Sequence, residues 1–424
     1  MPVNEEDFVL QSGQSNIKVI PTSAYIHIPF CRRRCYYCDF PVSVLGDSAV
    51  NNPSNSVESY VKQLSQEIKM TPRIGTEKLQ TVFFGGGTPS LLSVEQLSSI
   101  LQVLEEYFGI AKDAEISLEV DPGTFTLKKI QGYKQAGVNR LSLGVQAFQD
   151  ELLTICGRSH STTDIFTAVE LIQQGGITNL SLDLISGLPH QSLSQWQASL
   201  TTAVALGPNH LSCYDLVLER VTAFGKQYEP GIKPLPSDET TAKMYRLAQE
   251  ILTGAGYVHY EISNYSKPEF QCRHNQVYWQ NKPYYGFGMG AASYVESRRF
   301  TRPRTRREYY DWLQSWQEQG RIITYPISEQ EDVLLETLML GLRLRQGISL
   351  GKISRKFGEE VLPKIHSCLQ NYYGCGWVQV KDENGEEIEI INRERLPHIG
   401  YLCLSDPEGF LFSNTVLSAL FNCF

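Results

Sequence analysis

From residue 24 to about residue 260 the chain alternates between short apolar, β-branched runs and longer stretches of helical spacing. The apolar runs at 24–28, 81–84, 115–120, 140–145, 179–185 and 210–217 predict strands. The stretches that follow them, at 59–70, 94–108, 127–136, 163–174, 194–206 and 238–252, predict helices. Ser93 with Gln96 supplies a capping box, Ser237 precedes the acidic pair Asp238 and Glu239, and Gly109, Gly137 and Gly175 stand where helices should stop. Six βα units in series predict an α/β fold, a parallel sheet with helices outside it. Strands that are apolar at nearly every position imply burial on both faces. The Asn- and Ser-rich stretch 49–56 reads as a mobile loop.

Beyond residue 327 the rhythm changes. Helical spacing at 329–342, 350–357 and 360–372 precedes a polar hairpin at 378–391 that turns at Asn384-Gly385, and a last strand and helix fall within 400–424. The pattern divides the chain into an N-terminal segment 1–23, a βα domain 24–324 and a smaller, mostly helical, winged-helix-like C-terminal domain 325–424.

In parallel βα sheets, active sites form beyond the carboxyl ends of the strands. Here that edge is crowded with chemistry. Cys31, Cys35 and Cys38 follow the first strand. A cubane iron–sulfur cluster has four irons and normally takes four thiolates, so three leave one iron open to a non-protein ligand. Structural zinc is the competing reading, but it favours a second C-x₂-C pair at a distance, which this chain lacks. The second strand runs into Gly85-Gly86-Gly87-Thr88-Pro89. A backbone without side chains can approach a ligand closely and offer it main-chain polar groups. Glu119 and Asp121 end the third strand, Gln146 ends the fourth with Arg158 a short helical step beyond, and Asp183 sits on the fifth. The ligand these residues suit is an amino acid whose amine and carboxylate chelate the open iron. Glycine backbone would hold its amine end, Glu119 and Asp183 suit ribose hydroxyls or an ammonium group, and Arg158 suits a carboxylate.

Composition narrows the class. No run of about 18 apolar residues appears, so nothing in the sequence is suited to span a bilayer. The acidic start, Met1 to Asp7, lacks the basic and apolar segments of a secretory signal. The ten cysteines therefore read as reduced thiols of a cytoplasmic protein, three of them cluster ligands and most others small buried hydrophobes. A net charge of −8 argues against broad nucleic-acid binding. Arg298, Arg299, Arg302, Arg304, Arg306 and Arg307, six arginines within ten residues, form a solvated loop or a grip on phosphate, carboxylate or a partner surface.

Together these strings resemble the radical S-adenosylmethionine (SAM) superfamily, whose C-x₃-C-x₂-C loop follows the first strand of a partial (β/α)₆ barrel. Tyr25-Ile-His-Ile-Pro-Phe-Cys31, Gly85-Gly-Gly-Thr-Pro89, Glu119-Val-Asp-Pro122, Gly144-Val-Gln146 and Asp183-Leu-Ile-Ser-Gly-Leu-Pro189 look like the oxygen-independent coproporphyrinogen III oxidase family. The resemblance implies a [4Fe-4S] cluster on Cys31, Cys35 and Cys38. It implies SAM contacts from Tyr25, Gly86 and Glu119, and places Tyr37, Gly87, Thr88, Gln146, Arg158 and Asp183 around one or other SAM site. Two departures separate the chain from the true oxidases: Phe40 stands where they carry a further cysteine, and only 23 residues precede the first strand. The string His274-Asn-x-x-Tyr278-Trp279 is similar to the hallmark of the family's heme chaperone branch. That similarity implies heme binding near residues 272–307 through His274, Tyr278 and Trp279, with the arginine run on the propionates and delivery to a client hemoprotein. It also implies a homodimer and peripheral membrane association. The competing activity is oxidative decarboxylation of coproporphyrinogen. A radical SAM enzyme acting on RNA is a third reading that the net charge disfavours, and no nucleic-acid partner is expected.

Overall fold

The computed structural model describes residues 19–46, 55–320, 326–390 and 396–424. The loop expected at 49–56 falls outside the described residues as far as 54, and residues 55 and 56 open a helix. All six expected strands form: β1 (Ser23–Ile28), β2 (Leu79–Gly86), β3 (Ile110–Val120), β4 (Arg140–Gln146), β5 (Asn179–Ser186) and β6 (His210–Asp215). They lie side by side in chain order and all run parallel. The crossover helices are α1 (Asn55–Met70), α2 (Val94–Phe108), α3 (Leu127–Gln135), α4 (Thr162–Gly175), α5 (Leu193–Ala205) and α6 (Asp238–Gly254). Ser93, Ser161 and Ser192 each close a capping box at the start of α2, α4 and α5.

The sheet is wider than the sequence suggested. Beyond β6 come β7 (Val258–Glu261) and β8 (Asn264–Ser266), which run antiparallel; at the other edge β9 (Tyr285–Phe287) pairs in parallel with β1. Glu67 of α1, fully buried, fastens that edge. Its carboxylate accepts from Arg302 Nε at 2.7 Å, the Tyr309 hydroxyl at 2.6 Å and the Gly288 N–H at 2.7 Å. A buried carboxylate is tolerated because it is paired and saturated with donors.

Burial on both faces is correct, but apolar character on both is not. Strand side chains alternate between faces. Phe84, Leu118, Leu141, Leu143 and Leu182 pack beneath the helices, each removal from water stabilising by roughly 1.5–3 kcal/mol. Their alternates are polar: Thr81, Ser117, Arg140, Ser142, Ser181 and Ser212 are buried. Interior hydrogen bonds join Ser181 to His210 Nδ1 at 2.8 Å and His210 Nε2 to the Tyr260 hydroxyl at 2.8 Å. The barrel is thus lined with polar groups, several of them bonded to one another within it.

After residue 325 the helices Gln330–Gly341, Leu350–Phe357, Val361–Gly374 and Ser413–Phe421 enclose a second apolar core. Val378–Lys381 pairs chiefly with Tyr401–Leu404 rather than with the return arm of the expected hairpin, and Ile348–Ser349 completes a three-stranded antiparallel sheet. Arg246 grips Glu408 through two bonds of 2.6 and 2.8 Å, joining this region to α6. Cys368 and Cys423 form a disulfide, which corrects the reading of every thiol as reduced. No described helix is long and apolar enough to cross a membrane.

Candidate metal and cofactor site

The cysteine loop is fixed at both ends by main-chain bonds. Ser43 N–H donates to Pro29 O and Leu45 N–H to Cys31 O, while Tyr36 donates to Cys156 O at 3.0 Å. The loop closes one side of a cavity of about 430 Å³ at the carboxyl edge of the sheet. Cys31, Cys35, Cys38, Tyr37, Gly86, Gly87, Thr88, Glu119, Gln146, Arg158 and Asp183 all line it. Six elements therefore deliver the expected residues to one place.

Among the described residues no three His, Cys, Asp or Glu side chains converge on a single-ion site. A cubane makes a different demand, because each thiolate takes its own iron. Burial pushes the Cys31 thiol up to about 12, with Asp121 adding to the effect, and burial also raises Cys38. Such thiols ionise when a metal supplies positive charge. Arg158 carries that balance further. Its guanidinium pairs with Asp121, donates to Gly144 O at 3.1 Å and lies 3.4 Å from Cys35 Sγ. Its Nε is buried and finds no partner among the described residues, leaving a spare donor in a side chain that lines the cavity. The donor set and this orphan fit a sulfur cluster with an anionic ligand group beside it.

The glycine run has a structural duty first. A Cβ on Gly87 would stand 2.7 Å from Phe30 O and 2.8 Å from Ile28 O, and one on Gly86 (φ +109°) would meet the His27 ring. The run's N–H groups are also spent: Gly86 donates to Glu119 at 3.0 Å, Gly87 to Ile28 O and Thr88 to Phe30 O. With the N–H groups of Gly86, Gly87 and Thr88 engaged, the turn is better suited to a ligand's amine end than to a carboxylate.

Glu119 is half-buried on the cavity wall, and its desolvation followed by the charge of Asp183 pushes its carboxyl up to about 8. Asp183 accepts from Ser142 at 2.9 Å and Ser181 at 3.2 Å, and burial raises it despite those bonds. Gln146 ends β4 in the left-handed region at φ 68°, a conformation disfavoured for a side-chain-bearing residue, beside a bulge between Gly144 and Gln146. Tyr25 stands off the cavity wall: its ring stacks on Phe83 and its hydroxyl meets His27 Nδ1 at 3.1 Å.

The other three expected residues lie elsewhere. His274, on α7 (Arg273–Trp279), is fully buried, with Nδ1 2.7 Å from the Thr81 hydroxyl and Nε2 2.8 Å from that of Tyr278. Burial, then Arg140, lowers it to about 3. With both nitrogens engaged and Phe83 stacked on its ring, His274 is an interior contact of the barrel, apart from the residues that line the cavity. Tyr278 is half-buried, bonded to His274 and set nearly perpendicular to the ring of Tyr284. Trp279 borders a groove with Gly341, Ile348 and Ile353 of the C-terminal region. The arginine run divides as well. Arg302 is spent on Glu67 and Arg299 on Glu336, whereas Arg304 is exposed and donates to Asp39 O at 2.6 Å. Phe40 is 54% exposed at the cavity lip.

Sequence reasoning passed over the anchoring role of Asp121, and over Tyr214, Asp215 and Glu219 on the cavity's far wall. All four sit at or just beyond strand ends, the signal that found the others.

Residues 25–203 match the radical SAM superfamily model, and residues 329–384 match that of the HemN C-terminal domain. Heme chaperone HemW of Synechocystis is 50% identical over 403 residues, covering 95% of this chain and 97% of the relative. The chain belongs to the heme chaperone HemW family. The Bacillus subtilis HemW is 37% identical over 82% of this chain and 90% of its own length. In structure, coproporphyrinogen III oxidase HemN of Escherichia coli superposes with a TM-score of 0.77 at 22% identity, over 96% of this chain and 91% of that one. The radical SAM barrel is therefore shared by HemW and HemN sequences, and the superfamily implies a [4Fe-4S] cluster and SAM.

Proposed function

We propose that this chain carries heme and hands it to client hemoproteins, with Cys31, Cys35 and Cys38 holding a [4Fe-4S] cluster whose fourth iron takes SAM. The observation that carries the cofactor reading is the convergence of three thiols, Glu119, Asp183 and Arg158 on one cavity of about 430 Å³. The bound cluster would supply redox chemistry and an open iron for SAM. The chain's own residues bind and orient. Glu119 and Asp183 receive the cationic and hydroxyl-bearing parts of SAM, Gln146 and Tyr37 close over it, and Thr88 and Arg158 hold Asp121 so that the cavity floor keeps its shape. Tyr25 braces the floor from behind through Phe83.

The heme part of the reading is supported by membership of the HemW family and by Phe40 in place of an oxidase cysteine. The chain is read as three parts, 1–23, 24–324 and 325–424, as a homodimer with peripheral membrane contact, and as cytoplasmic, its Cys368–Cys423 disulfide notwithstanding. Anaerobically purified protein loaded with hemin should show a Soret band that moves to an added apo-hemoprotein. Absence of hemin binding at micromolar concentration sinks the proposal. Conversion of coproporphyrinogen to protoporphyrinogen under reductant and SAM would replace it with the oxidase activity.

A further inference from the structure

The exposed apolar residues at the barrel mouth are unexplained by the cofactor site. Phe40 is 54% and Val217 is 64% exposed, and with Val42 and Leu216 they border the cavity above its polar floor. Large apolar groups gathered at the lip of a polar cavity mark a binding surface. Two exposed cations reach the same place from distant parts of the chain. Arg34 Nη2 donates to Cys38 O at 3.3 Å and Arg304 Nη2 to Asp39 O at 2.6 Å, the carbonyls of the two residues that precede Phe40. A guanidinium that spends one N–H on a carbonyl keeps further donors for a carboxylate.

We propose that Phe40, with Arg34 and Arg304 beside it, is the platform on which a planar, dianionic tetrapyrrole docks. This rests on the heme-carrier reading and gives that reading a location. The ring of Phe40 and the side chains of Val217 and Leu216 take the macrocycle, and the two guanidiniums take its two propionates. Asp39, Asp215 and Glu219 line the cavity wall, so their charge turns the anionic edge of the ligand outward, toward the arginines. The platform also differs from the His274 string, whose imidazole has both nitrogens bonded inside the barrel.

The test is an anaerobic titration of cluster-reconstituted full-length protein with hemin and, separately, with hemin dimethyl ester, which lacks the carboxylates. Wild type is compared with Phe40→Ser and with the double variant Arg34→Glu/Arg304→Glu, iron and sulfide being assayed in each. The expected result is at least tenfold weaker hemin binding in both variants at unchanged cluster content. The arginine substitutions should leave the affinity for the ester unaltered, while Phe40→Ser weakens both ligands. Wild-type hemin affinity in both variants overturns this proposal alone. Equal loss of hemin and ester in the arginine variant overturns the propionate pairing. A wild-type protein that binds neither ligand overturns the carrier reading and this site with it.

Discussion

Glu119 is the side chain whose state depends most on what binds beside it. Burial and Asp183 hold its carboxyl at about 8, so in the free protein it is protonated at neutral pH. A cationic ligand favours the ionised form. Affinity for SAM should therefore rise with pH up to about 8, by at most about tenfold per pH unit, and level off above. Below that point binding releases a proton. Calorimetry in buffers of different ionisation enthalpy reads this release, and Glu119→Gln should abolish it and flatten the pH profile. A pH-independent affinity in the wild type would show that Glu119 does not face the ligand's charge. His274 stands at the opposite extreme. Its low affinity for protons reflects deep burial among rings, and His274→Ala leaves the hydroxyls of Thr81 and Tyr278 without their partner. We expect about 2–4 kcal/mol of lost stability from the cavity and the broken bonds together, seen as a lower melting temperature.

The elements obey rules that were legible beforehand, and the departures have physical causes. Six parallel strands and their helices follow from apolar runs, capping serines and glycine stops. The edge strand β9 was missed because Tyr285–Phe287 is short and its pairing with β1 depends on Glu67, Arg302 and Tyr309, groups far apart in the chain. The polar barrel interior was missed because alternation was read as continuous apolarity. The cavity residues were legible because strand ends announce them. The buried, doubly bonded setting of His274 was not legible because a motif gives a residue's identity without its direction. How the arginine run divides was not legible for a similar reason: Glu67 and Glu336, which neutralise two of its members, cannot be seen from local sequence. At this scale Gly87 ties the glycine turn to the cysteine loop. Gly87→Ala should push the carbonyls of Ile28 and Phe30 away, lowering stability by about 1–3 kcal/mol and the iron and sulfide content with it. Full cluster content in a variant of unchanged stability would contradict that coupling.

Across the whole molecule, a barrel open at one end is backed by a second apolar core that joins it through Arg246–Glu408 and Arg299–Glu336. The disulfide stabilises only the latter region, linking Cys423 to the helix Val361–Gly374. Cys368→Ser should lower the urea midpoint there by an amount corresponding to about 2–4 kcal/mol, with hydrogen exchange of β1 to β6 unchanged. The barrel mouth is where sulfur donors, acidic groups and an apolar lip meet, and the account stands on an iron left open among them. Mössbauer spectroscopy of anaerobically reconstituted, isotope-enriched protein with and without SAM tests it most directly. The account predicts a [4Fe-4S] cluster in which one iron differs from the other three and shifts when SAM is added. Four irons of equivalent sulfur ligation, unmoved by SAM, would contradict it.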